Sequence, residues 1–415
     1  MFEQGKVVVK QQVILVSGAG AAGLSAALAF AQAGDGRFTV VVCDPAEAVK
    51  TEQERGRAYA LSAGPRLMLE RLGAWAGLAD SAQPMLAMDI TDGRPGDAVR
   101  LPLLSFEDDA RDEGAPFAHM VEGDALIESL RTACEQAGVS FLARGVKTVE
   151  AGAQGATVHF TDGGTHEAAL VVAADGRNSP IRKALGIGWV GHGYGQAGIV
   201  ATLGHERPHE GRAVQHFLPA GSFAMLPLTG NRSSIVWTEP EDEARMLVTL
   251  DDEDIIREIT RRFGHGLGEL RLLDRPRAFP LAIGMARSFI SRRVALVGDA
   301  AHVVHPLAGQ GLNVGLRDVA ALVEAVLDRA RLGFDAGHGD ALEHYERARR
   351  FDTLTMGVAT DGLNRLFSND ILPLRLGRDL GLGLVNRLPP LKRLLAREAA
   401  GHVGATPRLL RGEAP

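Results

Sequence analysis

The sequence has few cysteines, no excess of basic residues and no long apolar run, and each absence excludes a class of protein. Two cysteines, Cys43 and Cys134, cannot build a disulfide framework, so we expect two small core residues in a reducing compartment. No uncharged apolar stretch reaches the roughly 18 residues of a membrane span. Residues 1–6 show no signal-peptide pattern. These features predict a cytoplasmic protein.

The charge balance argues against a nucleic-acid partner. The chain has 45 basic and 51 acidic residues, a formal net charge of −6, which gives no global positive field. Apolar residues make up 46% and charged residues 23% of the sequence, as is usual for a globular protein. A chain of 415 residues can form two or three packed units.

A glycine-rich turn follows the first apolar segment, in the run Gly18-Ala-Gly-Ala-Ala-Gly23. Gly18 permits a tight turn, Gly20 lets the backbone approach a pyrophosphate, and Gly23 lets the following helix pack close to the sheet. A second apolar strand then ends on Asp44, where an acid suits ribose hydroxyls. The order of strand, turn, helix, strand and acid predicts a dinucleotide site; the alternative is a glycine-rich turn without a ligand.

Two later strands also end in a carboxylate beside a helix start. The apolar run Ala168–Ala174 leads into Asp175 and Gly176, with Arg182 on the helix that follows. The run Val294–Val297 leads into Gly298 and Asp299, and a glycine-rich loop then enters a helix. Ligands of open α/β sheets bind where strand ends meet helix starts, so both places are candidate sites.

The region from residue 187 to about 291 alternates apolar and polar residues, which predicts an antiparallel sheet interrupted by one helix, about Asp251–Phe263. Its segment Met225–Pro227 is expected either to face a substrate or to be an ordinary core strand. The predicted fold class is α/β: a Rossmann-like domain in two parts with an inserted antiparallel sheet domain and a C-terminal helical region. The predicted parts are 1–185 with a small excursion near 75–118, then 186–290 for the sheet, 291–350 for the second part and 351–415 for the C-terminal region.

Together these signals resemble the single-component FAD-dependent aromatic monooxygenases of the p-hydroxybenzoate hydroxylase fold, within them the ubiquinone-biosynthesis hydroxylases of the UbiH/VisC type. The most specific similarity lies in Ala295–Asn313, and further segments are Arg57–Ser62, Tyr345–Asp352 and Thr360–Asn369. The resemblance implies a GR2-type FAD-binding domain. It also implies that O2 and a flavin C4a-hydroperoxide hydroxylate the ring of a polyprenylphenol in ubiquinone biosynthesis.

The resemblance also implies the residues that contact the cofactor. They are Gly18, Gly20, Ala22 and Gly23 at the FAD pyrophosphate, Asp44 at the adenosine ribose, Arg57 at the flavin nucleotide, Asp175, Gly176 and Arg182 where the pyrophosphate and a reductant meet, Asp299 at the ribityl chain, and Gly311, Leu312 and Asn313 at the pyrimidine edge. The sequence alone favours a solvated Arg57, and the resemblance reverses that preference. Pro306, Gly309 and Gln310 would form the flavin-facing catalytic loop, without an acid–base residue.

The sequence says less about the electron donor, a metal site and a membrane contact. No second G-x-G-x-x-G unit is present, so electrons would come from transiently bound NAD(P)H or from an external reductase or ferredoxin. His302 and His305 lack a third ligand nearby, so no metal is predicted. The basic, leucine-rich segment Leu363–Arg397 is expected either to contact the inner membrane surface or to cap the domain interface. The resemblance also implies a ubiquinone-biosynthesis complex as a partner.

Two other functions remain open at this point. One is a hydroxylase of a small soluble aromatic compound, which would share the fold and the cofactor. The other is a non-catalytic flavoprotein that scaffolds a biosynthetic complex. The intact glycine-rich loop up to Asn313 argues against the scaffold, because binding FAD alone does not require that loop.

Overall fold

The computed structural model describes residues 11–34, 36–45, 56–97, 102–107, 115–304, 309–367 and 406–415. The strands of these residues are β1 (Gln12–Ser17), β2 (Phe38–Cys43), β3 (Ala58–Leu61), β4 (Gln83–Met85), β5 (Ala87–Asp92), β6 (Leu104–Phe106), β7 (Ala118–Glu122), β8 (Ser140–Leu142), β9 (Val146–Ala151), β10 (Ala156–Phe160), β11 (Thr165–Ala168), β12 (Leu170–Ala173), β13 (Trp189–His205), β14 (Arg212–Leu218), β15 (Gly221–Leu228), β16 (Arg232–Pro240), β17 (Leu270–Leu272), β18 (Arg277–Ala286), β19 (Ile290–Ser291), β20 (Val294–Leu296) and β21 (His302–Val303). The α-helices are α1 (Ala21–Ala33), α2 (Ala63–Arg71), α3 (Gly123–Gln136), α4 (Pro180–Ala184), α5 (Glu241–Leu247), α6 (Asp252–Phe263), α7 (Gln310–Arg331) and α8 (Gly339–Phe367).

A six-stranded sheet carries the first layer, in the order β19-β20-β12-β1-β2-β8, and all of its neighbours are parallel except β19 and β20. Its central strands are apolar and buried because helices cover the sheet. Ser17 pairs with Ala173, and Ala173 pairs with Leu296. The three turns that follow β1, β12 and β20 therefore lie side by side at one edge.

A nine-stranded sheet forms the second layer, in the order β21-β18-β13-β16-β15-β14-β5-β6, with β17 beside β13. It is antiparallel except that β5 and β14 run parallel. The expectation of one helix in this region is wrong, because α5 and α6 both occur there. The short α5 follows Pro240 and begins with three acidic residues that suit a helix amino terminus. Seven residues carry too little periodicity to predict.

The predicted α/β class with an inserted, largely antiparallel sheet is confirmed. One core lies around the parallel sheet, and another lies between the large sheet and its helices, around Trp237, Ile255 and Ile259. Cys43 and Cys134 are free thiols buried in the first core, where burial raises the pKa of each to about 12. None of the described helices is both long and apolar enough to cross a bilayer.

Candidate active site

A deep groove runs between the carboxyl edge of the parallel sheet and the nine-stranded sheet. Its cavity volume is about 480 Å³, within the range of roughly 300–1,000 Å³ that is usual for small-molecule sites. One wall consists of the three turns and the start of α7: Gly20, Ala21, Ala22, Gly23, Ala174, Asp175, Gly176, Val297, Gly298, Asp299, Val303, Val304, Gly309, Gly311, Leu312 and Gly315. The facing wall consists of β3 and the large sheet: Arg57, Ala58, Tyr59, Ala60, Gly198, Val200, Gln215, Ser222, Ala224, Leu226, Ser234, Val236, Phe279 and Leu281.

The three glycines of the first turn differ in what surrounds them. Gly18 has a φ of +112°, and a Cβ there would lie 2.2 Å from the Ala174 carbonyl oxygen. A Cβ on Gly23 would lie 1.9 Å from the Gly18 carbonyl oxygen, so α1 can approach the turn only with glycine at this position. A Cβ on Gly20 would meet nothing within 4 Å. The space above Gly20 and the amino terminus of α1 is therefore open to a ligand.

The second turn brings a buried carboxylate to the groove. Asp175 accepts a hydrogen bond from the Ile181 N–H at 3.3 Å through Oδ2, while its buried Oδ1 has no partner among the described residues. Burial raises the pKa of Asp175 above its ordinary value, against the hydrogen bond from Ser179 and the charge of Arg182. Gly176, at a φ of +82°, leaves open space beside it. An orphaned acceptor next to open backbone fits a ligand that donates a hydrogen bond.

The third turn and the start of α7 meet in the same wall. Gly298 has a φ of +57°, and Asp299 is exposed in the groove. Gly309, at a φ of +65°, precedes α7, whose first turn leaves backbone N–H groups without helical partners. Gly311 has open space around its Cα. Pro306 and His305 lie outside the described residues.

Asn313 and Gln310 border a smaller cavity beside the groove rather than the groove itself. Asn313 holds the strand β3 against α7, since its Oδ1 accepts from the Ser62 N–H at 3.0 Å and its Nδ2 donates to the Ala60 carbonyl at 2.8 Å. Its side chain is thus committed to the protein, and only its backbone position agrees with the predicted contact.

Arg57 lies on the facing wall, with its guanidinium 4.2 Å from the centre of the Phe279 ring. It is not the solvated arginine that the sequence alone favours. Stacking on an aromatic face fixes the charge toward the groove. This placement agrees with the contact implied by resemblance.

Two of the predicted residues that do not line the groove are charged and buried. Asp44 is buried, and its Oδ2 accepts from the Ala19 N–H at 2.8 Å, so it braces the glycine turn. Arg182 is also buried, donates to the carbonyls of Ala300 (2.8 Å) and Arg177 (2.7 Å), and stacks on Trp189. Desolvation lowers the pKa of Arg182, against the charge of Asp175. Arg182 therefore connects the second and third turns from behind.

A buried charge cluster that the sequence motifs do not indicate lies behind the third turn. Asp318 on α7 is fully buried, and it accepts from the Gly298 N–H at 3.0 Å and from Arg349 of α8 at 2.8 Å. His302 Nε2 lies 2.5 Å from its Oδ2. Burial alone would raise the pKa of Asp318, but His302 and Arg349 outweigh it and hold the pKa below its ordinary value. An aspartate inside the apolar run Val314–Leu327 was the available signal, because such a residue needs a partner.

The same contact accounts for His302 without a metal ion. Among the described residues no group of three or more His, Cys, Asp or Glu side chains could hold a metal. The groove does fit the FAD implied by resemblance. It has open backbone at Gly20, Gly176 and Gly311, an orphaned acceptor at Asp175, and a helix amino terminus in the same wall.

Comparisons with known proteins agree with this geometry. Residues 10–351 match the family described as an FAD binding domain. Ubiquinone hydroxylase UbiL of Rhodospirillum rubrum is 42% identical over 406 residues, covering 96% of this chain and 92% of the relative. The mitochondrial ubiquinone biosynthesis monooxygenase COQ6 of Homo sapiens is 30% identical over 429 residues, covering 91% and 90%.

A solved structure shares the fold at low sequence similarity. The p-nitrophenol 4-monooxygenase PnpA of Pseudomonas putida DLL-E4 superposes with a TM-score of 0.76 at 19% identity, over 94% of this chain and 97% of that one. The predicted family is thereby confirmed: this chain belongs to the FAD-binding domain family, and its close relatives include hydroxylases and monooxygenases named for ubiquinone and its biosynthesis.

Proposed function

We propose that the protein is an FAD-dependent monooxygenase that hydroxylates the aromatic ring of a polyprenylphenol intermediate in ubiquinone biosynthesis. The observation that carries the proposal is one groove with two unlike walls. Turns and a helix start suited to FAD face a wall of strands whose side chains are uncharged apart from Arg57. The similarity to UbiL over nearly the whole chain supports the substrate class.

We assign the cofactor contacts by position in the groove. Gly20, Ala22 and Gly23 bind the pyrophosphate through backbone N–H groups at the start of α1. Asp299 accepts from the ribityl chain, and Arg57 contacts the flavin nucleotide. Gly18, Asp44 and Arg182 act through the turns that they shape, since none of them lines the groove.

The start of α7 supplies the electrostatic part of the mechanism. When bound, FAD supplies the oxygen chemistry, and the protein supplies orientation, water exclusion and a fixed field. The backbone N–H groups at Gly311 and Leu312 point from a helix amino terminus, whose partial positive charge stabilises negative charge at the pyrimidine edge. Because these donors are fixed before the reaction, they need no reorganisation during it.

The facing wall favours a neutral ring over an anionic soluble aromatic. Its sheet residues are glycine, alanine, serine, glutamine and apolar side chains, so a substrate carboxylate would find no cation there except Arg57. The non-catalytic scaffold has no such support, because a scaffold needs no second wall shaped for a ring. Electrons come from NAD(P)H bound transiently or from a reductase or ferredoxin, and anaerobic mixing with each donor, followed by flavin bleaching, distinguishes these sources.

Asp299→Ala tests the cofactor assignment. Asp299 is exposed in the groove, so its removal should lower FAD occupancy while the melting temperature of the FAD-free protein stays unchanged. Purified wild-type protein should be yellow and release FAD on denaturation. A protein that binds no flavin under any condition would rule out the hydroxylase and its alternatives together.

A deletion strain tests the pathway and finds the ring position. Loss of this gene should stop ubiquinone synthesis and accumulate a polyprenylphenol that lacks one hydroxyl group. The position of the missing hydroxyl identifies the carbon on which the enzyme acts. Unchanged ubiquinone in that strain would contradict the proposed pathway.

We further propose that α8 brings the protein to a membrane surface. Phe351, Leu354 and Val358 recur on one face of α8 and are 77%, 49% and 65% exposed, with Arg347 and Arg350 on the same helix. Apolar side chains flanked by arginines suit an anionic lipid surface. The predicted basic tail lies outside the described residues from 368 onward, so this face carries the proposal alone.

Sedimentation with anionic vesicles tests the membrane contact. Wild-type protein should bind, and a variant with serine at 351, 354 and 358 should bind at least about tenfold less tightly. Leu332 (71% exposed) is the matched control, since Leu332→Ser removes an exposed apolar side chain from another segment. Binding that needs a protein fraction instead of lipid would indicate a biosynthetic complex and contradict the lipid proposal.

A further inference from the structure

A second cavity opens beside the groove. Its cavity volume is about 90 Å³, or about 750 Å³ with the open mouth included, and it lies under the small sheet β3-β7-β4 and against β5, β6, β14 and β15. Its lining residues are Ala60, Ser62, Met85, Met88, Phe106, Phe117, Ala118, Ala213, Val214, Gln215, Leu226, Gln310 and Asn313. Ala60, Gln215 and Leu226 line the groove as well, so the two spaces adjoin at these side chains.

Most of the side chains that line the cavity are apolar. No charged side chain is among its lining residues in the described part of the chain. Its polar side chains are Ser62, Gln215, Gln310 and Asn313. Ser62 and Asn313 bond to each other, because Asn313 Oδ1 accepts from the Ser62 N–H at 3.0 Å and from the Ser62 hydroxyl at 3.3 Å. The two glutamines are uncharged, so the wall provides no counter-ion. An ionic ligand would be desolvated there without a partner.

The cavity lies next to the part of the groove that we assign to the flavin ring. Gln310 and Asn313, at the start of α7, form part of its wall, next to the turn of α7 that we assign to the flavin pyrimidine edge. The segment Met225–Pro227, for which the sequence left open a substrate-facing or a core position, has side chains in both surroundings. Leu226 faces the cavity, whereas Met225 belongs to the core between the large sheet and its helices.

We propose that this cavity is a subsite for the isoprenoid chain of the substrate, holding the first units next to the aromatic ring. The proposal rests on the proposed function and adds where the chain goes and which residues select for it. A branched, uncharged hydrocarbon matches the side chains of Met85, Met88, Phe106 and Phe117. Two flexible methionines adapt to such a shape without polar demands.

The expected signature is a dependence of affinity on chain length. Burying one five-carbon unit should tighten binding at least about tenfold, as the removal of apolar surface from water predicts. The effect should level off once the cavity is full, because later units extend beyond it. A ring without a prenyl group should bind weakest.

The experiment titrates purified, FAD-loaded protein with phenols that carry no, one, two or three prenyl units, and reads binding from the flavin fluorescence. Met88→Gln places an amide in the cavity at nearly constant volume, and Met88→Trp fills it. Met246, 58% exposed on α5 and away from this cavity, provides matched controls with the same two substitutions. The Gln variant keeps the test valid where the bulkier Trp variant fails to fold.

We expect the ratio of affinities for one-unit and unprenylated phenols to fall at least about fivefold in Met88→Gln and to stay at the wild-type value in both Met246 variants. A wild-type protein that prefers prenylated phenols and keeps the full preference in the Met88 variants would overturn the subsite. Equal wild-type affinity for all chain lengths would overturn it too. Failure of the proposed function is a different result: FAD-loaded wild-type protein would hydroxylate no phenol of the series.

Discussion

The two walls of the groove are built in different ways. The cofactor wall consists of backbone turns held by contacts that leave no spare room, such as Gly23 against Gly18 and Asp318 against the Gly298 N–H. The sheet wall consists of alternate side chains along strands, such as Ala224 and Leu226 of β15. Backbone atoms thus form most of the surface of the cofactor wall, whereas side chains form the surface of the sheet wall.

Because of this difference, substitutions in the two walls should affect different properties of the protein. A change at a packed position of the cofactor wall, such as Gly23 or Asp318, alters backbone position and therefore affects stability and flavin binding together. A change in the sheet wall alters the shape offered to the ring and leaves the turns in place. The predictions below test that separation, starting with the largest effect.

Asp318→Asn should give the largest loss. The substitution removes a fully buried charge that faces Arg349 and His302, and breaking a buried pair costs about 3–5 kcal/mol. Urea unfolding should show that decrease, together with lower FAD occupancy, because the single amide oxygen of asparagine cannot serve both the Gly298 N–H and Arg349. Asp328→Asn on the same helix is the control, since its exposed ion pairs are worth at most about 1 kcal/mol. Equal losses in both variants would contradict the account.

The stability of the protein should depend on pH through the Asp318 carboxylate. The pKa of Asp318 lies below its ordinary value of 3.8 in the folded protein. Its contribution is therefore fully present above about pH 4 and is lost as the pH falls through the folded pKa. Wild-type protein should lose stability more steeply than Asp318→Asn as the pH falls from about 4 to 2. Parallel curves from urea unfolding across this range would show that the pair makes no pH-dependent contribution.

Gly23→Ala and Gly20→Ala should separate folding from cofactor binding within one turn. A Cβ at Gly23 would lie 1.9 Å from a backbone oxygen, so we expect a loss of about 1–3 kcal/mol or more in the FAD-free protein. A Cβ at Gly20 would meet nothing, so that variant should keep most of its stability but bind FAD more weakly. Calorimetry with and without FAD measures both. Full FAD affinity in Gly20→Ala would place the pyrophosphate elsewhere.

Ala224→Val should give the smallest effect on the fold and on the cofactor. Ala224 lies on the sheet wall, where two added methyl groups narrow the space for the ring. FAD affinity should stay within about twofold, while the KM of the phenol rises by about tenfold, the cost of roughly one lost apolar contact. Steady-state kinetics and flavin titration measure the two effects. Loss of flavin in this variant would contradict the claim that the sheet wall can change without affecting FAD binding.

The same contrast explains what the sequence could predict. The turns after β1, β12 and β20 are encoded by adjacent residues, so their glycines and carboxylates were identifiable before any fold was known. Their convergence followed from the rule that parallel strands end at one edge of a sheet. By contrast, the cavity depends on the register between distant segments, such as Met88 of β5 beside Ala213 of β14. No local pattern sets such a register.

Three buried charged side chains show why a sequence does not locate such groups by itself. Acids and bases near strand ends often bind ligands, so the sequence predicts cofactor contacts for Asp44 and Arg182, and in the structure both bind backbone groups of the protein. Asp318 was overlooked because it lies inside a helix instead of at a turn. A buried charge is positioned by its partners, and Arg349, a partner of Asp318, is 31 residues away in sequence.

Transfer of oxygen from O2 to the ring is the most direct test of the central claim. Purified, FAD-loaded protein, supplied with a competent electron donor and a prenylated phenol, should be incubated under ¹⁸O₂ and the product analysed by mass spectrometry. We predict one labelled hydroxyl oxygen on the ring, with formation dependent on FAD. A product whose new oxygen comes from water, or a fully FAD-loaded protein that consumes O2 without forming a hydroxylated ring, would contradict the account.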